Sequence, residues 1–260
     1  MLYQGAVAYP RLCAGPLNRP QRCARLRAHQ EGTTGLIALQ GVAHSYGGGE
    51  LLSDITLELA PGSFHFLTGP SGAGKTTFLR MCYGEMVPTA GEVTLFGQNL
   101  RKMRRDDLAR ARRRIGVVHQ DCRFLDHLSL ADNVALPLLA AGRSPSESGD
   151  DLRALLGWVG LEARAGALPP TLSGGERQRA ALARAVILSP EVILADEPTG
   201  NIDWEMAMRL LNLLVELNRM GTAVVIATHD LNLIRAAKSL TPARVLRIAG
   251  RRLQVAGSDL

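Results

Sequence analysis

Residues 69–76 read Gly-Pro-Ser-Gly-Ala-Gly-Lys-Thr, and that spacing suits one kind of chemistry, the holding of phosphate. Gly69, Gly72 and Gly74 let the backbone curl closely, so that its N–H groups and the helix N-terminus that follows point at phosphate oxygens. Lys75 adds a point charge between the outer phosphates, and the Thr76 hydroxyl can ligate Mg²⁺. The candidate loop is the whole run of Gly69, Pro70, Ser71, Gly72, Ala73, Gly74, Lys75, Thr76 and Thr77. A glycine-rich turn that binds nothing is the plain alternative. The apolar stretch 64–67 leading in as a strand, and 77–82 leading out with helical spacing, favour the phosphate loop of a nucleoside triphosphate site.

A second group of polar residues stands at the ends of apolar runs. The run 192–195 closes on Asp196 and Glu197, which suits Mg²⁺ coordination through water by Asp196 and polarisation of the attacking water by Glu197. Gln120 follows another short strand and can reach the metal or the water. His229 follows the strand 224–228, where a neutral imidazole can hold a phosphate or the water. The segment Leu172-Ser173-Gly174-Gly175-Glu176-Arg177-Gln178 sets a Ser-x-x-Glu capping box and two glycines at the start of a helix running to about Leu188. A helix start of this kind favours an anion, although the chain already has a phosphate loop.

The elements that must position these residues read as α/β. Strand candidates at 64–67, 92–96, 115–119, 192–195, 223–227 and 244–248 alternate with helical stretches, which predicts a mostly parallel sheet with right-handed crossovers. Ligands of such sheets bind at the carboxyl ends of the strands, where the candidate residues fall. From about 121 to 190 helical patterns dominate, with Ser129, Ser173 and Asp150 as candidate N-caps, and we expect a helical subdomain inserted into the sheet. The 260 residues suffice for one large domain.

Composition narrows the classes further. The formal charge of +6 is concentrated in two places rather than spread over a face, and no nucleic-acid partner is expected. One place is residues 1–35, arginine- and proline-rich with no acid before Glu31, which cannot bury enough apolar surface to fold alone. It is expected to be a disordered or mis-assigned extension, with a membrane-surface arm and a transit peptide left open. The other place is 101–114, with eight basic residues opposed only by Asp106 and Asp107, either a solvated helix face or a patch for anionic lipid. Four dispersed cysteines without a C-x-x-C pair suggest neither a zinc site nor a disulfide framework. No run of roughly 18 apolar residues offers a membrane span, so a membrane role needs a partner.

Taken in order, the phosphate loop, the segment 172–178 and the run Glu197-Pro198-Thr199-Gly200-Asn201-Ile202-Asp203 resemble the motifs of the ATP-binding-cassette ATPases over about residues 36–253. The resemblance implies a P-loop fold with an antiparallel N-terminal β region and an inserted helical subdomain. It also implies a two-fold dimer that sandwiches two ATP molecules, with Ser173, Gly174 and Gly175 of one copy covering the ATP on the phosphate loop of the other. It assigns Tyr46 to stack on adenine, Gln120 to the Q-loop, Asp196 to Mg²⁺, Glu197 to catalysis, Asp203 to communication across the dimer and His229 to the switch. Ile202 and His119 depart from the usual leucine and aromatic residue at their places. Within the family, the stretches 120–125 and 132–138 are most similar to the cell-division branch. That branch implies an integral membrane partner, a place on the cytoplasmic face of the bacterial inner membrane through it, and an indirect link to division and peptidoglycan-hydrolase factors. A lipoprotein-release or macrolide-type exporter ATPase is the nearer alternative, and a DNA- or ribosome-associated cassette the distant one.

Overall fold

Strands buried on both faces are mostly apolar, and three short runs follow that pattern with His65, Thr68 and Asp196 as their polar positions. In the computed structural model, which describes residues 35–143, 149–200 and 202–255, β3 (Phe64–Thr68), β7 (Val192–Asp196) and β8 (Ala223–Ala227) are buried at every position. With β6 (Ile115–Val118), β9 (Ala243–Ala249) and β10 (Arg252–Val255) they form a six-stranded sheet of order β10-β9-β3-β8-β7-β6. All pairs are parallel except β10 on β9. Leu67 lies opposite Ala227, and Ala227 opposite Asp196, so β3, β8 and β7 end level with one another. The phosphate loop, the Asp196-Glu197 pair and His229 therefore leave the sheet at one edge, as the strand pattern predicts.

Alternation sorts the side chains of this sheet between two cores. Val192, Leu194, Val225 and Leu67 face a core shared with helix α1 (Lys75–Cys82) and with a second sheet of order β2-β1-β4-β5. That sheet is antiparallel throughout, made of β1 (Ile37–Ser45), β2 (Glu50–Leu59), β4 (Ala90–Leu95) and β5 (Gln98–Asn99). The Ser53 N–H donates to the Arg251 carbonyl at 2.8 Å and joins the two sheets. Ile193, Ala195, Val224, Ile226, Phe64 and Phe66 face the opposite core. Helices supply its other side: α3 (Leu130–Ala140), α4 (Gly149–Trp158), α5 (Gly174–Val186), α6 (Trp204–Arg219) and α7 (Leu231–Leu240).

Between β6 and β7 the described residues form helices and no strand. Ser129 caps α3 by accepting from the Asp132 N–H, and Ser173 caps α5 with both bonds of its capping box in place. Asp150 does not cap α4. The helix begins at Gly149, so this carboxylate lies inside the first turn, where it meets the positive end of the helix dipole.

The basic run 101–114 is solvated at every basic residue except half-buried Arg114. It is divided between the short turn Leu100–Lys102 and helix α2 (Arg105–Arg112). Arg101 bonds the Pro88 carbonyl, and Arg112 bonds those of Tyr83 and Gly84. Arg104 and Arg110 flank Asp107. Arg114 forms a fork with Glu191 at 2.7 and 2.8 Å, with its guanidinium 3.6 Å over the Phe96 ring. Lys102, Arg105 and Arg113 are exposed, as are Arg101, Arg104, Arg110 and Arg112 despite their bonds. The partners of Arg114 come from distant chain, which the local charge pattern does not display. The segment 1–34 lies outside the described residues.

Strand β6 touches α5 so closely that a Cβ built on Gly116 would overlap the Ala185 carbonyl oxygen and approach Pro190 to 3.0 Å. Gly116→Ala is accordingly expected to destabilise the chain by about 1–3 kcal/mol through overpacking. Thermal melting checks this, at roughly 2–4 °C per kcal/mol for a chain of this size.

Candidate active site

The phosphate loop depends on glycine at two places. Gly69 adopts φ 150°, where an added Cβ would come 2.9 Å from the Ile248 carbonyl oxygen. Gly74 adopts φ 98° at the N-cap of α1, where a Cβ would come 2.9 Å from Leu52 Cδ2. Helix α1 has no acid in its first turn, so its positive end faces the loop without an internal counter-charge. The Lys75 ammonium folds over the loop, donating to the carbonyls of Gly69 at 2.9 Å and Pro70 at 3.2 Å.

At the foot of that loop the Thr76 hydroxyl donates to Asp196 Oδ2 at 2.6 Å. Asp196 is buried at the end of β7, and burial, with the neighbouring charge of Glu197, lifts its pKa above the ordinary aspartate value. The Thr76 bond and the cations Lys75 and Arg80 oppose that shift. A carboxylate disfavoured by burial and paired with a hydroxyl suits Mg²⁺, which takes one or two protein oxygens beside phosphate and water.

Glu197 occupies the left-handed region at φ 48°, a conformation that costs a non-glycine residue roughly 1–2 kcal/mol. Three bonds hold it there, and the Gln178 amide adds a fourth. Its N–H donates to the Ala227 carbonyl at 2.9 Å, its carbonyl accepts from the Gly200 N–H at 3.3 Å, and its Oε1 accepts from His229 Nδ1 at 2.8 Å. The His229 side chain is 79% exposed and that of Glu197 15%, so the imidazole closes the solvent side of a largely enclosed carboxylate.

The other predicted residues fall around this centre. Tyr46 lies in the glycine-rich connection between β1 and β2, 59% exposed, with its hydroxyl 3.1 Å from Thr77 Oγ1 and 3.5 Å from Met86 Sδ. It is thus a hairpin residue and a neighbour of the phosphate helix at once. Gln120 stands exposed just beyond β6. His119 packs edge-on against Tyr83, with ring centroids 5.8 Å apart, so the departure from an aromatic residue keeps a ring in place. Burial, then the cations Arg123 and Arg184, hold its pKa below the usual histidine value. Ser173, Gly174 and Gly175 line an open groove with Arg179, Ile202, Asp203 and Met206, and not with the phosphate loop. Asp203 has a structural task as well, capping α6 by accepting from the Met206 N–H at 2.9 Å.

Sequence reasoning gives Gln178 no role, yet the structure places it between functional segments. Its amide bonds Cys122 and the Glu197 carbonyl, partners 56 and 19 residues away. No local spacing could have marked it.

With this geometry stands agreement with known proteins. The ABC transporter family matches residues 52–200, and the chain belongs to it as an ATP-hydrolysing cassette. It is 43% identical over 213 residues to the cell division ATP-binding protein FtsE of Escherichia coli K12, covering 79% of this chain and 94% of that protein. To FtsE of Haemophilus influenzae it is 42% identical over 202 residues, covering 77% and 93%. Among solved structures, the dimeric ATP-binding cassette MJ0796 in a post-hydrolysis state with ADP and Pi is similar with a TM-score of 0.76 at 32% identity, covering 84% of this chain and 96% of that one.

The raised pKa of Asp196 has a definite sign. A carboxyl whose folded pKa lies above its unfolded value favours the fold below the ordinary aspartate pKa, and loses that contribution as pH rises through the raised value. At neutral pH Asp196→Asn is therefore expected to melt no lower than the wild type without nucleotide. With Mg–ATP at 100 times Kd the wild type gains about 2.7 kcal/mol, and the variant is expected to gain less than half of that. Melting curves with and without Mg–ATP measure both.

Proposed function

We propose that this chain is the ATPase subunit of a bacterial cell-division complex, seated on the cytoplasmic face of the inner membrane by an FtsX-like integral membrane protein. In this reading ATP-driven closure of two copies is passed through that partner to the regulation of peptidoglycan hydrolysis. The observation that supports it most is identity of 42–43% to FtsE proteins across more than nine-tenths of their length. Among the described residues no helix is long and apolar enough to cross a membrane, which gives the membrane partner its place in the reading. Residues 36–260 act as the nucleotide-binding domain. The helical segment of about 121–190 seats the partner, and Leu125 and Leu139 are exposed there.

The chemistry follows from the side chains. Tyr46 stacks on the base, and the N–H groups of 69–77 with Lys75 hold the phosphates. Thr76 and Asp196, with Gln120, hold Mg²⁺, which when bound neutralises charge on the phosphate oxygens. Glu197 orients a water for in-line attack, and His229 fixes that carboxylate from the solvent side. Ser173 of a second copy completes the anion cradle with its hydroxyl and the N–H groups of Gly174 and Gly175. The groove lined by Ser173 and Asp203 but by no phosphate-loop residue supports a site completed between two copies, as the dimeric relative suggests. Tighter binding of ATP to the closed pair than to the open one does the mechanical work.

Glu197→Gln is expected to bind ATP, remain dimeric and lose about 100-fold or more of its turnover, in line with the usual worth of general-base assistance. Light scattering and phosphate release measure this. Captured with ATP from solubilised membranes, the same variant is expected to bring down an FtsX-like protein with division or wall-hydrolase factors. Recovery of a lipoprotein or drug permease instead would move the chain to the exporters.

A further inference from the structure

Helix α5 begins with the Ser173 capping box, and two side chains further along it reach the strained backbone of two other segments. Gln178 is 2% exposed. Its Nε2 donates to the Glu197 carbonyl at 3.3 Å, and its Oε1 accepts the Cys122 S–H at 3.3 Å. Only the NH₂ end of an amide can face a carbonyl, so Glu197 fixes which way this side chain points and leaves the oxygen for the thiol. Arg184, on the same helix, donates to the carbonyls of Cys122 and Arg123, the latter at 2.7 Å, with its guanidinium 4.7 Å over the Phe124 ring.

What these two side chains hold is unusual backbone. Cys122 and Arg123, the turn that follows Gln120, adopt φ 58° and 43°, and Glu197 adopts φ 48°. Non-glycine residues persist in the left-handed region only where their surroundings over-determine them. Here one helix supplies part of that restraint at both places. A buried glutamine that merely satisfied itself would need no partners on two separate segments that flank the chemistry.

We propose that Gln178 is a positioning residue for ATP hydrolysis. It fixes the Glu197 backbone against the turn after Gln120, so a displacement of that turn, or of the Ser173 end of α5, reaches the carboxylate through one amide. The inference rests on the reading of Glu197 as the residue that orients water.

The test is steady-state ATP hydrolysis by the purified full-length chain, with kcat and KM separated and melting recorded for each variant. Gln178→Leu keeps the volume and removes both bonds. Its kcat is expected to fall at least about tenfold with KM for ATP within about twofold, since slight misplacement of a catalytic group costs rate and not ground-state binding. A merely structural role would lower the melting temperature and leave that kcat near the wild-type value, which would overturn the proposal. Should Gln178→Leu not fold, Cys122 carries the test. Cys122→Ser keeps a donor for Gln178 Oε1 and is expected to retain kcat, whereas Cys122→Ala is expected to lose about threefold. Equal rates for these two would overturn the coupling. Glu197→Gln run alongside separates the failures. If it hydrolyses ATP at the wild-type rate, the reading of Glu197 falls and this inference with it. If it is inactive while Gln178→Leu is fully active, only the coupling falls.

Discussion

A carboxylate at the end of a wholly buried strand is the constraint on which the rest of this molecule depends. Val192–Asp196 is apolar until its last residue, and burial works against the charged form of Asp196. The Thr76 hydroxyl at 2.6 Å and the charges of Lys75 and Arg80 offset part of that cost, and all three belong to α1. The phosphate helix is thereby tied to β7 although β8 lies between β7 and β3 in the sheet. That tie requires parallel strands ending level, and the register of Leu67, Ala227 and Asp196 provides it. A one-residue slip would exchange the two faces of β7 and turn this carboxylate away from α1.

The same edge tolerates strain because its supports come from several directions. Glu197 sits in a disfavoured backbone region, held by β8 through Ala227, by α5 through Gln178 and by His229 at its side chain. None of these bonds is strong alone, at about 1 kcal/mol each, but together they match the cost of the left-handed turn. A carboxylate whose backbone is held from several directions needs less side-chain ordering to keep one position.

How much of this could be read from the chain depends on how local each signal is. The phosphate loop, the strand ends at Asp196 and His229, and the caps Ser129 and Ser173 are legible because their information lies within a few adjacent residues. Strand β2 escapes because a kink at Asp54, at φ 52°, breaks the alternation that would have marked its ten residues. Asp150 fails as a cap because acids in a first turn and at an N-cap look alike in sequence. The basic run is legible as a solvated stretch, but the partners of its side chains are not. Its charges cluster locally, but Glu191, Phe96 and the carbonyls of Tyr83, Gly84 and Pro88 that absorb them lie elsewhere in the chain. Gln178 is the limiting case, since both of its partners are set by tertiary packing.

The start of α5 raises a question of charge that the geometry answers. Glu176, in its first turn, accepts from the Ser173 N–H at 2.8 Å, and that bond, more than any other influence, holds its pKa below the ordinary glutamate value. A fixed anion at a helix N-terminus would compete with a phosphate for the same dipole. Arg164 lies 3.2 Å from Glu176 Oε1 and offsets that charge on the side away from the cap. Within the capping box the Ser173 oxygen accepts the Glu176 N–H at 3.2 Å, and a side-chain bond from Ser173 to the Glu176 carboxylate adds to the lowering of its pKa. The cap that stabilises the helix thus engages both the backbone and the hydroxyl of Ser173 with the one carboxylate of Glu176.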